Sequence, residues 1–217
     1  MPKKPRTTEE INEVKETIIR HALDIINKEG FQGLSMRKLA GRLGVQAVTI
    51  YNYFENKDDL YLAILTEGFQ MLYDDCVKAY ESESDPMERL RAMMHAYLNF
   101  GITQANFYNL MFTWHVPKYG DYVGTPMEEA ARIELVESQK VLLYFIKAVQ
   151  ELAEPIAPLT ENEIRSYIIY AWSTLHGYIA GINNELLNYI HHNPHELKEL
   201  VLENLFNYIQ QELQEKG

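Results

Sequence analysis

Apolar residues recur at three- and four-residue steps along almost the whole chain, and no stretch alternates apolar with polar residues over a strand's length. That period admits helices and little else, so the predicted fold class is all-α. Helix punctuation supports this. Residues 9–29 place Ile11, Val14, Ile18, Ala22 and Ile25 on one face and stop at Gly30. Ser35 can cap a short helix, Met36–Leu43, closed by Gly44, and a second short helix is expected over 46–51. Asn56, with Asp59 three residues on, opens a long helix reaching about residue 80. Asp85-Pro86 starts a helix over 86–101, and another is expected over 104–114. Residues 117–126, with two prolines and two glycines, read as a loop. A long helix over 127–153 ends before Pro155 and Pro158. Thr160 and Glu163 form a capping box for a helix to about residue 187, and Asn193-Pro194 with Glu196 begins the last, over 194–214.

With 217 residues, 47% of them hydrophobic, the chain can bury a core in one large and one smaller domain. Its net charge of −11 would by itself argue against a polyanionic partner. The charge is unevenly placed. Residues 1–58 hold ten Lys and Arg against eight Asp and Glu, a balance of +2, and residues 59–217 hold the remaining −13. Screening within about 8–10 Å isolates the two ends, so a nucleic-acid contact is expected at the N-terminal end only. The longest apolar runs, such as residues 141–146, are far shorter than a bilayer requires, and no apolar stretch follows the basic residues 1–6. One cysteine, Cys76, permits no intramolecular disulfide. The expectation is a cytoplasmic protein with no membrane contact.

Residues 31–60, FQGLSMRKLAGRLGVQAVTIYNYFENKDDL, have the layout of a helix-turn-helix. Met36, Leu39, Ala40 and Leu43 give the first helix one face to bury, and small Ala40 allows close approach of the second. Gly44 permits the left-handed backbone of a tight turn. Val45 and Ile50 are expected to anchor the second helix from inside, leaving Gln46, Ala47, Val48, Thr49 and Tyr51 outward. Such a face can enter a major groove, where Gln pairs with adenine and apolar groups meet the thymine methyl.

The order Leu39-Ala40, Leu43-Gly44-Val45, Thr49-Ile50-Tyr51, Tyr53-Phe54, Lys57 and Leu60 resembles the TetR family of regulators. The resemblance implies that Thr49, Tyr51 and Tyr53 touch DNA, that Lys57 binds a phosphate at a helix N-terminus, and that Ser35 and Arg37 do the same across the turn. Gln46 stands where the family usually has a Ser or Thr cap, and Val48 where a small residue is usual; both bear on base preference. A shorter match, Trp172 and His176-Gly177, resembles the Trp…His-Gly signature of one group of the family's ligand domains. The implied organisation is a helix-turn-helix domain over 1–58 and a ligand-binding and dimerisation domain over 59–217. The implied partners are a palindromic double-stranded operator, a second copy of the chain through the last two long helices, and a small-molecule effector. The implied activity is that of a repressor released by its effector, with no catalytic role and no cofactor.

Residues 93–122 are rich in aromatic residues and methionine. Core packing must claim most of them, but a cavity bordered by Tyr97, Phe100, Phe107, Phe112, Trp172, His115 and His176 is expected to hold a small, mostly apolar ligand, with His95, His115, Asn99 and Asn106 available as polar anchors; a packed Trp172 and a core or interface His176 is the alternative. His191, His192 and His195 with Glu196 and Glu199 could point to a metal, but the helix-start reading accounts for them better. Cys76 reads as a semi-buried helix residue rather than a redox switch. Two other classes fit less well. A helical enzyme would need a nucleophile, base and acid pattern that the sequence lacks, and an architectural DNA binder does not need so large an aromatic domain.

Overall fold

The computed structural model describes residues 7–216, and among them there is no strand. The basic residues Lys3, Lys4 and Arg6 lie outside the described residues. The helices are α1 (Thr8–Glu29), α2 (Met36–Leu43), α3 (Ala47–Tyr51), α4 (Lys57–Glu81), α5 (Pro86–Thr103), α6 (Ala105–Tyr108), α7 (Tyr119–Tyr122), α8 (Glu128–Ala153), α9 (Glu161–Asn183) and α10 (Lys198–Gln214). None is long and apolar enough to cross a membrane.

The expected caps are made where a side chain can reach the free N–H groups of a first turn. Ser35 Oγ accepts from Lys38 N–H at 3.2 Å, and Asn56 Oδ1 accepts from Asp58 and Asp59 N–H at 2.9 Å. Asp85 Oδ1 accepts from Met87 and Glu88 N–H. Thr160 and Glu163 close their capping box. Four segments differ from the sequence expectation, among them α9, which ends at Asn183 rather than near residue 187, with Glu185 at φ +59° beyond it. The 117–126 loop contains α7, because the Asp121 carboxylate reaches back to accept the Lys118 N–H at 2.8 Å. The helix expected over 104–114 widens after α6 into one π turn, Asn109–Thr113, whose Trp114 N–H bonds to the Asn109 carbonyl at 2.9 Å. The last helix begins as a 3₁₀ turn, Pro194–Leu197, since the Asn193 amide bonds to the Glu196 carboxylate instead of capping the backbone.

The chain forms two compact units that do not divide at residue 58. The first runs to Glu67 and also takes in His115–Leu135. Its core joins Ile18, Ala22, Ile25 and Ile26 of α1 to Leu39 and Ala40 of α2, Ile50 of α3, and Leu60, Tyr61 and Ile64 of α4. The later segment belongs here because two side chains of α4 hold it. Tyr61 Oη donates to the Pro117 carbonyl at 3.1 Å, and Asp58 accepts from Tyr122 Oη at 3.4 Å. Neither pairing is detectable from sequence spacing.

The second unit comprises Gly68–Trp114 and Val136–Gly217. Its core joins Leu72 and Cys76 of α4, Met93, Tyr97 and Phe100 of α5, Val149 and Leu152 of α8, Leu175 and Ile179 of α9, and Leu202, Leu205 and Ile209 of α10. Gly101 is required where α5 meets α9: a Cβ there would lie 2.6 Å from Ile179 Cδ1, and its carbonyl accepts from Asn183 Nδ2 at 2.9 Å. Cys76 is fully buried, which pushes its thiol up to about 12, so it carries no thiolate chemistry at neutral pH.

Candidate functional site

α2 and α3 pack as the sequence predicts, around buried Leu39, Ala40 and Ile50, and Gly44 turns the chain with φ +67°. The face left outward is formed by Gln46, Val48 and Tyr51, with Val48 61% and Tyr51 51% exposed. Ala47, Thr49 and Tyr53 are half-buried at its edges. Val45 is a correction: it is 40% exposed and does not anchor α3, a role left to Ile50 and Phe54. Gln46 precedes α3 and makes no side-chain cap, so its amide is not committed to the helix start.

The cations around this face differ in their freedom. Lys38 is paired with Glu29 and Arg42 with Asp24. Arg37 is exposed and makes no ion pair among the described residues. Ser35 is also exposed, with its hydroxyl engaged in capping α2. Lys57, in the first turn of α4, holds its ammonium 3.9 Å from the Phe31 ring centre. Burial pulls its pKa below the usual lysine range, against the opposing charge of Asp58. A phosphate contact by Lys57 would require a short swing off the ring.

The second unit forms a partly open apolar cavity of about 300 Å³, with exposed Leu142, Ile169 and Trp172 among its lining residues. It is lined from α4 (Phe69), α5 (Leu90, Met94, Tyr97), the π turn (Phe112), α8 (Val141, Phe145), α9 (Leu175, Trp172) and α10 (Ile209). No charged side chain lines it among the described residues; its polar atoms come from Tyr97, Ser138, Tyr167 and Trp172. Of the residues expected around a cavity, Tyr97, Phe112 and Trp172 line it and four do not. Phe100 and Phe107 are absorbed into the core, His115 belongs to the first unit, and His176 stands behind the lining. Phe69, Val141, Phe145 and Ile209 escape sequence reasoning, because a cavity-lining apolar residue has the same helical spacing as a core residue. The π turn supplies the signal that sequence lacks. Such widened turns recur at functional sites, and this one carries Phe112 into the lining.

Behind the lining runs a polar chain. Tyr97 Oη lies 3.1 Å from Tyr108 Oη, which lies 2.9 Å from His176 Nδ1. The Trp172 indole stacks on the His176 ring, 4.7 Å between centroids and 11° between planes. Burial pushes the Tyr97 hydroxyl well above the usual tyrosine range, reinforced by Tyr108 and opposed by the Trp172 indole as a hydrogen-bond donor. Burial also pulls His176 below its usual value, so the imidazole is neutral at physiological pH.

Two family models match this chain: that of bacterial regulatory proteins of the tetR family over residues 18–64, and that of the tetracyclin repressor-like C-terminal domain over residues 90–205. The chain belongs to the TetR family. Members of the TetR family are DNA-binding transcription regulators rather than enzymes. Among curated relatives, the transcriptional activator FasR of Mycolicibacterium smegmatis is 29% identical over 114 residues, 52% of this chain and 49% of FasR. The tetracycline repressor protein class A from transposon 1721 of Escherichia coli is 51% identical over 56 residues, 24% of this chain and 26% of the repressor. The matches thus span about half and about a quarter of those relatives. Among solved structures, a tetR-family regulatory protein from Rhodococcus RHA1 has a TM-score of 0.70 at 15% identity, covering 91% of this chain and 97% of that one. FadR from Bacillus subtilis, in complex with stearoyl-CoA, has a TM-score of 0.66 at 17% identity, covering 88% of this chain and 97% of that one. At these identities the solved structures establish the TetR fold alone.

Proposed function

We propose that two copies of this chain hold a palindromic operator and that a small, mostly apolar effector releases them, making the chain a repressor. The observation that carries this reading is the uncharged cavity of about 300 Å³ in the unit without the helix-turn-helix. An apolar cavity of that size leaves its lining atoms without dispersion partners unless an apolar group fills it. Sequencing the genomic fragments retained by the protein, followed by transcription from them with and without compounds that raise its melting temperature, tests the proposal. An activator is the second reading, favoured by the match to FasR, and the same assay separates the two by the sign of the response.

The outward residues Gln46, Ala47, Val48, Thr49, Tyr51 and Tyr53 would read the groove, while Ser35, Arg37 and Lys57 would hold phosphates. Lys57→Ala is expected to weaken binding to all sequences alike and to lower the salt slope by about one unit for each phosphate interaction removed, roughly two per dimer. Gln46→Ala is expected instead to relax preference at one position in each half-site, at about 1–3 kcal/mol. Competition against a library of operator variants checks both. An identical, sequence-independent loss in the two variants would refute the division.

Dimerisation would use the outer sides of α9 and α10. Tyr170 and Tyr208 pack ring on ring at 4.5 Å and are both exposed, as are Ile169 and, at 56%, Leu200. Apolar surface of this extent on two adjacent helices calls for a partner. Leu205, on another face of α10, packs into the core at 3% exposure. Tyr170→Glu is expected to yield a monomer at micromolar concentration in analytical ultracentrifugation; an unmutated protein that sediments as a monomer would overturn this.

A further inference from the structure

The geometry points to a neutral effector of about ten to twelve heavy atoms bearing one hydrogen-bonding oxygen, with Tyr97 Oη as its anchor and the Trp172–His176 pair as the support that fixes that anchor. This rests on the cavity being the effector site. The size follows from volume. An apolar cavity of about 150 Å³ takes one benzene ring, and this one, at about 300 Å³, holds roughly twice as much. Neutrality follows from the lining. With no Lys, Arg or His side chain among its described lining residues, a carboxylate or phosphate inside would be a buried, unpaired charge.

The anchor follows from valence. A phenol oxygen offers one donor and two acceptor positions. At Tyr97, Tyr108 takes one position. Two remain, on a tyrosine that lines the cavity. Tyr108 is itself fully buried and held at its far side by His176 Nδ1, so the Tyr97 hydroxyl cannot turn away without breaking a buried chain. His176 does not line the cavity and acts as a positioning residue. The Trp172 and His176 of the Trp…His-Gly motif therefore serve one purpose: the indole both walls the cavity and clamps the imidazole that orients the relay.

The test compares butylbenzene, 4-phenylbutanol and 4-phenylbutyrate, which share one apolar body and differ in the terminal group. Affinities of the full-length chain at pH 8 are read by titration of tryptophan fluorescence. In a cavity without an anchor, the hydroxyl loses its water and gains nothing, so the alcohol binds more weakly than the hydrocarbon. With the anchor, the alcohol is expected to bind about two- to tenfold tighter than the hydrocarbon, and the carboxylate at least about tenfold weaker than the alcohol. The ratio of alcohol to hydrocarbon is expected to collapse in Tyr97→Phe and to fall in His176→Gln. Because the ratio in the unmutated protein already decides the sign, a variant that fails to fold does not rescue the proposal. Hydrocarbon binding tighter than alcohol, or a ratio that Tyr97→Phe leaves intact, overturns the anchor while the cavity stands as effector site. Binding of none of the three overturns the anchor and the effector reading together.

Discussion

Operator binding is expected to weaken by about 10³–10⁵ as salt rises from about 50 to about 200 mM, despite the net charge of −11 on each chain. The range corresponds to about 6–10 phosphate contacts in a dimer, each releasing condensed counterions from the duplex. The structure shows which cations can supply them. Lys38 and Arg42 are already paired with Glu29 and Asp24, so their net contribution is reduced. Arg37 is exposed, and Lys57 is desolvated against Phe31, with its ammonium over that ring. Lys3, Lys4 and Arg6 add three further cations in the sequence. Partial neutralisation by the neighbouring acids places the slope toward the lower end of that range. Fluorescence anisotropy on one operator fragment at several salt concentrations measures it, and a flat dependence would show that the local basic balance does not govern binding.

The helix-turn-helix is legible in the sequence because it depends on local chemistry. Ser35 and Gly44 fix the ends of α2 through their own backbone neighbours, and the burial of Leu39 and Ile50 follows from helical spacing. Val45 misleads because an apolar residue next to a turn looks like an anchor in sequence, whereas its backbone position turns the side chain to solvent. The unit boundary is hidden for a different reason. Tyr61 and Asp58 recruit residues more than fifty positions away through single hydrogen bonds, which leave no periodic trace. The cavity lies between these cases. Tyr97, Phe112 and Trp172 are identifiable as a group, but Phe69 and Ile209 become lining only through the packing of four other elements. His115 falls outside because the chain leaves the helix after Thr113 and His115 belongs to the first unit, and Phe107 because it packs into the core.

Filling the cavity is expected to change operator affinity by about 5–150-fold, the range of a coupling free energy of about 1–3 kcal/mol. A ligand can do this only by binding one arrangement of the dimer better than another, since equal affinity for both shifts nothing. α4 runs from Lys57 in its first turn to Phe69 in the cavity wall. In the proposed dimer two half-sites would be met about 34–36 Å apart, so a displacement of that helix, repeated in both copies, would alter the fit to the duplex. The effect must be reciprocal: operator DNA should weaken the effector by the same factor by which the effector weakens DNA. Trp172→Ala is expected to bring that factor toward one, because it opens the wall of the cavity and removes the ring stacked on His176. Measuring all four edges of the cycle, with and without 4-phenylbutanol and with and without operator, closes the test. Unequal factors would mean that the compound acts elsewhere, and factors of one in the unmutated protein would mean that occupation of this cavity does not control DNA binding.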